Sequence, residues 1–177
     1  MTDTERYERA LRFAAEKHKG QSRIGGAEYI THPVAVADIL RAEGYGTDFQ
    51  IAGLFHDLLE DTDAKESEIL ALGNEEILDA VKLVTKEKGY DMARYIAGIR
   101  QNKIAFAVKA ADRLHNLQCA LVTDTEFKRK YIFETVDWYL DFSPEIPKAV
   151  KRLAESLDTP LAELSFLYEP VETWKRK

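Results

Sequence analysis

Apolar residues recur at three- and four-residue spacing along almost the whole chain, the period of helices that bury one stripe. Tyr7, Leu11, Ala14 and His18 predict a first helix over residues 4–18, stopped by Gly20. Residues 21–31 hold few apolar positions and the tandem Gly25-Gly26, and read as a loop. Pro33 falls in the first turn of a second helix, where proline is tolerated, and Val34, Ala37 and Leu40 carry that helix to Gly44. Beyond the Gly44-Tyr45-Gly46 turn, Thr47 or Asp48 is expected to cap a buried helix reaching residue 61. Two helices are predicted over residues 64–86, divided near Gly73-Asn74, and Lys88-Gly89 is a break. A short helix over 90–100 and a long, apolar, alanine-rich one over 103–121 follow. An aromatic-rich helix spans 126–142, where core packing is the expected use of the rings and an interface the alternative. Pro144 and Pro147 punctuate, a helix runs over 149–157, and a short piece over 160–168 precedes a tail from Trp174 expected to fray. Strand signals are absent. The expected fold class is all-α, in one domain over residues 1–177, with motifs at about 18–121 and further helices at 122–170.

Composition narrows the setting. Of 177 residues, 45% are hydrophobic and 32% charged, which suits a globular chain with a real core. The single cysteine, Cys119, excludes an intrachain disulfide framework and fits a reducing compartment. No signal-peptide pattern is visible, because Glu5, Arg6, Glu8, Arg9 and Arg12 interrupt the first apolar residues. No apolar run approaches the ~18 residues of a membrane span. The expectation is a cytoplasmic protein without a membrane partner. A net charge of −6 argues against a general binder of nucleic-acid polymers, which needs a basic surface. A small anion remains possible where a few bases gather.

One stretch breaks the amphipathic pattern. Phe55-His56-Asp57-Leu58-Leu59-Glu60-Asp61-Thr62 sets an imidazole and three carboxylates within six positions of an apolar run. At about 100° per helical residue, His56 lies over Glu60 and Asp57 over Asp61, all on one side. Three carboxylates near a helix C-terminus are unfavourable, and residues 48–64 contain no Lys or Arg to offset them. A bound divalent cation is the simplest source of positive charge. The plainer alternative is a core histidine bonded to a backbone carbonyl beside solvated acids. His32, just before Pro33, is free to point into a cleft, or is a cap. Asp112 lies in an apolar helix and should not be buried unpaired; it is either a ligand or the partner of Lys109. Asn116 flanks it at four residues' distance. Together His32, His56, Asp57 and Asp112 offer two nitrogens and two carboxylates, a set suited to Mn²⁺, Fe²⁺, Zn²⁺ or Mg²⁺. With Cys119 the one thiol, a structural zinc site is not expected.

The order His, His-Asp, Asp on helices resembles the HD superfamily of metal-dependent phosphohydrolases. His18-Lys19-Gly20-Gln21, Arg23, Tyr29-Ile30-Thr31-His32-Pro33, His56-Asp57-Leu58-Leu59-Glu60-Asp61-Thr62 and Ala111-Asp112-Arg113-Leu114-His115-Asn116 resemble the hydrolase domain of RelA/SpoT-type enzymes. In length the chain is similar to stand-alone small alarmone hydrolases, including metazoan SpoT homologues. The resemblance implies an HD-type helical bundle with one ion, usually Mn²⁺, held by His32, His56, Asp57 and Asp112. It implies that Glu60 and Asp61 order and deprotonate the attacking water, that Arg23 packs on the nucleotide base, and that Asn116 contacts the nucleotide. The implied reaction is hydrolysis of the 3′-pyrophosphate of (p)ppGpp to GDP or GTP and pyrophosphate. A polyanionic substrate also needs a basic rim, for which Lys17, Lys19, Arg23, Lys109 and Arg113 are available. Where relatives often carry a second base after the Arg, this chain has Ile24, followed by Gly25, Gly26, Ala27 and Glu28. That keeps a nucleoside monophosphate or the 2′-phosphate of NADPH as alternative substrates. An idle regulatory module would be expected to lose a ligand or the acidic pair, and neither is lost.

Overall fold

In the computed structural model, which describes residues 1–174, the helical pattern is realised as ten α-helices. They are α1 (Asp3–Lys17), α2 (Thr31–Ala42), α3 (Thr47–Phe55), α4 (Leu58–Asp61) and α5 (Glu66–Leu72), then α6 (Glu75–Val84), α7 (Met92–Gln101), α8 (Lys103–Cys119), α9 (Thr125–Trp138) and α10 (Glu145–Glu155). Short 3-10 turns lie at Ala120–Val122, Ala162–Tyr168 and Val171–Thr173. Among the described residues there is no strand, only an isolated antiparallel bridge between Ser22 and Glu28. The fold is all-α. No helix of the described residues is long and apolar enough to cross a membrane.

The chain forms two compact units, Met1–Asp112 and Arg113–Lys177, divided inside α8. In the first unit α3 is central. Ile51, Ala52, Gly53, Leu54 and Phe55 are all buried, and α3 packs against α1, α2 and α6. A run without a polar face can be satisfied only by neighbours on every side. Neither Thr47 nor Asp48 caps it. Gly46 is the N-cap without a side-chain bond, and Asp48 instead accepts from Arg6 (2.6 Å) and from Asn74 (2.9 Å). Asp48 thereby ties α1 and the start of α6 to the positive end of α3. Conventional side-chain caps stand on other helices: Thr2 and Glu5 form a capping box on α1, and Asn74, Asp91 and Asp124 cap α6, α7 and α9.

The close approach of α2 and α3 depends on Gly53. A Cβ built there would lie 3.0 Å from a Leu40 methyl and 3.3 Å from one of Val36. His32 lies one turn before Val36, and His56 nearly one turn after Gly53, so this contact brings the two histidines together.

The second unit buries Leu117, Ile132, Val136, Tyr139, Phe142, Ile146, Val150 and Leu153. Helix α10 begins at Glu145, not at 149, because Pro147 occupies its first turn, where no backbone N–H is required. Helix α9 stops at Trp138 rather than 142. Trp174 does not fray: its Nε1 donates to the Glu169 carbonyl (3.3 Å) and its ring meets Phe166 edge-on. Residues 175–177 of the expected tail lie outside the described residues.

Candidate metal centre

The helix expected to continue through the His-Asp motif is divided. It ends at Phe55 and resumes at Leu58, with His56 and Asp57 in a turn between. The cause is local. His56 Nδ1 donates to the Gly53 carbonyl (2.7 Å), the group a continuous helix would give to the Asp57 amide. A carbonyl only accepts, so Nδ1 carries the proton and the lone pair of neutral His56 sits on Nε2. The backbone bond of the plainer alternative is therefore present, and it turns the ring so that it can also be a ligand.

His56 Nε2 faces His32 Nε2 at 3.2 Å. Asp57 Oδ2 lies 3.1 Å from His56 Nε2 and 3.6 Å from His32 Nε2. Asp112 Oδ1 mirrors it, 3.1 Å from His32 Nε2 and 3.6 Å from His56 Nε2. Ligand atoms of His32, His56 and Asp57 all fall within 4.8 Å of one another. Two lone pairs cannot face each other at 3.2 Å beside two carboxylates unless a proton or a cation lies among them. Both rings and Asp112 are buried, and the Asp57 side chain is 19% exposed, which leaves a way in. The donor set fits a divalent ion of the first transition row or Mg²⁺.

The electrostatics agree. Burial opposes charge on His56, but the Asp57 and Asp112 carboxylates overcome it and raise its pKa to about 10. Burial lowers His32. Burial works against ionising Asp57 and Asp112, yet the His56 ring and the Lys109 ammonium respectively hold them below the usual carboxylate range. The cluster is built to share positive charge.

Around these four, the other candidates divide. Asp61 is one hydroxyl away: that of Tyr29 lies 2.7 Å from Asp57 Oδ2 and 3.1 Å from Asp61 Oδ2. Burial and the two carboxylates push the Tyr29 phenol far above its ordinary range, so it remains a donor. Glu60 is exposed, and its Oε2 accepts from the Lys86 backbone N–H (2.9 Å). Lys109 bonds Asp112 (2.7 Å) with a side chain only 11% exposed, so the ion pair held open as one of the two alternatives forms. Arg23 lies over the Tyr29 ring at 5.6 Å, while Lys19 is exposed and pairs with Glu16. Lys17 pairs with Asp63 and Glu68. Arg113 is not at a rim: it is buried in the second unit, bonded to Glu134 (2.7 Å) and over the Tyr131 and Tyr139 rings. Asn116 also belongs to the second unit. Sequence reasoning missed Tyr29, Gln21 and Lys86. Only the first two had a signal, as members of quoted motifs without a role.

The family model for the HD domain matches residues 10–143. The chain belongs to the HD domain family. Among curated relatives, this HD-domain chain is 31% identical over 179 residues to a probable guanosine-3′,5′-bis(diphosphate) 3′-pyrophosphohydrolase of Synechocystis, covering 95% of this chain and 23% of that protein. It is 30% identical over 178 residues to the GTP pyrophosphokinase rsh of Brucella melitensis, covering 94% and 23%. The chain thus spans about a quarter of the length of the curated relatives it matches. Among solved structures, a metazoan orthologue of SpoT that hydrolyses ppGpp and plays a role in starvation responses shares the fold. The TM-score is 0.59 at 24% identity, over 94% of this chain and 93% of that one.

Proposed function

We infer that this chain is a metal-dependent phosphohydrolase that removes the 3′-pyrophosphate of (p)ppGpp, giving GDP or GTP and pyrophosphate. The observation that carries the reading is a pair of imidazole nitrogens 3.2 Å apart, each 3.1 to 3.6 Å from an oxygen of Asp57 and one of Asp112, with the Tyr29 hydroxyl joining Asp57 to a further exposed carboxylate, Asp61. The 3′-pyrophosphohydrolase among its relatives supports the substrate. The HD match crosses the division inside α8, which supports reading the chain as one HD hydrolase domain.

In this reading His32, His56, Asp57 and Asp112 hold one divalent ion, with Mn²⁺ favoured by the family resemblance. When bound, such an ion polarises a phosphoryl oxygen and acidifies water by several pKa units. Asp61 and Glu60 take up the proton of the attacking water. As the phosphorus–oxygen bond to the ribose breaks, the 3′ oxygen gains a proton and pyrophosphate departs. Lys109 keeps Asp112 ionised. Arg23, anchored over Tyr29, is the group for the base, while Asn116 and Lys19 complete the nucleotide contacts.

A second reading, another phosphorylated nucleotide, is favoured by one observation: Ile24, inside the loop closed by the Ser22–Glu28 bridge, is 64% exposed, and Glu28 is an exposed acid. Purified Mn²⁺-loaded protein is incubated with ppGpp, pppGpp, a nucleoside monophosphate and NADPH. The expected outcome is loss of ppGpp and pppGpp with one pyrophosphate released per nucleotide. If both stay intact while another turns over, the alarmone assignment is wrong and the metal reading stands. Glu60→Gln combined with Asp61→Asn should lower kcat by about 10²-fold or more with metal retained by elemental analysis.

A further inference from the structure

The loop before α2 does more than connect. Residues 21–29 close a small hairpin: Arg23 N–H donates to the Ala27 carbonyl (2.8 Å), Gly26 N–H to that of Arg23 (2.9 Å), and Tyr29 N–H to that of Gln21 (3.0 Å). Gly25 and Gly26, at φ +97° and +87°, make that turn possible. At its end the Tyr29 ring is stacked on His18 (4.7 Å between centroids) and meets His32 edge-on. The ring is held on two sides and has little freedom to move.

We propose that Tyr29 is a positioning residue whose hydroxyl ties Asp61 to the metal-facing oxygen of Asp57, setting where the base stands relative to the cation. The proposal rests on the roles given to Asp57 and Asp61 under Proposed function. The phenol reaches Asp57 Oδ2, the same atom that faces both Nε2 nitrogens, and Asp61 Oδ2 lies on its other side. The single phenol proton is thus shared between a ligand oxygen, at the shorter distance, and a carboxylate that is otherwise solvent-exposed. The hairpin also grips the main chain of Asp61: Gln21 Nε2 donates to its carbonyl (2.7 Å), and His18 Nδ1 and Gln21 Oε1 are hydrogen-bonded (2.8 Å). Asp61 is therefore fixed at its backbone by Gln21 and at its carboxylate by Tyr29. An exposed aspartate without these ties would sample several rotamers, and misplacing a catalytic group by about 1 Å can cost on the order of 10²-fold. Groups that hydrogen-bond a ligating carboxylate typically change metal affinity by about 10–100-fold.

A tyrosine that merely satisfies its own hydroxyl would alter stability and nothing else, so the test reads other quantities. Tyr29→Phe keeps the ring and its stacking. With ppGpp it should lower kcat by about 10-fold or more while KM stays within about twofold, and calorimetric titration of metal-free protein should find Mn²⁺ bound about 10-fold more weakly. Placed in Asp61→Asn, it should add less than about threefold to the kcat loss, because both changes remove the same arrangement. Wild-type kcat and Mn²⁺ affinity in Tyr29→Phe, losses that multiply with Asp61→Asn, or an effect on KM alone would each overturn it. Should Tyr29→Phe fail to fold, Gln21→Ala is the second variant: kcat falls with Mn²⁺ affinity unchanged if the tie matters, and an unaltered kcat sinks the idea. If the wild type leaves ppGpp intact, the substrate reading fails by itself. The Mn²⁺ titration then still decides the Asp57 tie, and the kcat arm moves to whichever nucleotide is consumed.

Discussion

The two oxygens of Asp112 have different surroundings. Oδ1 faces the His32 and His56 nitrogens while Oδ2 binds the Lys109 ammonium at 2.7 Å. Removing one member of a buried ion pair usually costs about 3–5 kcal/mol, because the remaining charge loses its partner, whereas replacing both by apolar groups can be close to neutral. Asp112→Ala should therefore destabilise even the metal-free protein by about 3 kcal/mol in urea unfolding. Lys109→Met with Asp112→Leu should regain most of that stability without regaining the ion, as elemental analysis would record. Equal stability of Asp112→Ala and wild type would mean that the pair contributes nothing. At this scale the close grouping was legible: an imidazole or carboxylate inside an apolar helix needs a partner, which singled out His56, Asp57 and Asp112, while His32 was read from its place before Pro33. It could not decide between ion pair and ligand for Asp112, because one carboxylate has two oxygens, and here one meets Lys109 while the other faces the paired nitrogens.

Helices and their junctions were less legible. Apolar periodicity located each helix, but it carried the His-Asp helix straight through residues 56 and 57, where the His56 ring takes the Gly53 carbonyl. Pattern reading counts side chains on faces and does not register one that competes with the backbone. The same gap hid Tyr29 and Lys86, whose partners lie 28 and 26 residues away in the chain. Gly53 offers the sharpest test of how α2 and α3 set the site. Alanine gains about 1 kcal/mol of helix propensity there, but overpacking against Leu40 and Val36 costs about 1–3 kcal/mol. Gly53→Ala should lower Tm by about 2–4 °C and weaken Mn²⁺ binding by moving His32 from His56, and Gly53→Val should do more of both. Unchanged metal affinity in a folded Gly53→Val would show that the contact does not set the histidine spacing.

A second junction predicts a pH response. Lys17 on α1 holds Asp63 (3.0 Å) and Glu68 (3.2 Å), joining α1 to the loop after α4 and to α5. Lys17 is raised, chiefly by Asp63; Asp63 is lowered, chiefly by Lys17; Glu68 is lowered by the Lys65 N–H and then by Lys17. Depressed carboxylates add stability above their unfolded pKa, about 4, and lose it as pH falls through the folded value. The raised lysine adds stability below about 10.5 and loses it above. Lys17→Met should consequently be less stable than wild type between about pH 5 and pH 10, with the difference closing on acidification. The exposure of the acids keeps the effect small, and a constant difference down to pH 2 would refute the linkage.

For the molecule as a whole, the question is whether a cation is part of the folded state or an occasional visitor. The chain has 31 acidic against 25 basic residues, so Mn²⁺ will also associate loosely with its surface. Such association is screened within a Debye length of about 3–10 Å as salt rises from 0.1 to 1 M, whereas an ion among buried donors is not. A ligand that binds only the folded state stabilises it by RT ln(1 + [L]/Kd), about 2.7 kcal/mol at a hundredfold excess over Kd. For a chain of 177 residues that corresponds to a Tm rise of about 5–10 °C. Mn²⁺ should raise Tm by this amount over the chelated protein, and the rise should persist in 0.5 M salt (about a 4 Å Debye length). Asp57→Ala, which removes the oxygen that faces both histidines and meets Tyr29, should show no salt-resistant rise. A wild-type response that disappears with salt would assign the ion to the acidic surface and leave the paired nitrogens of His32 and His56 to share a proton instead.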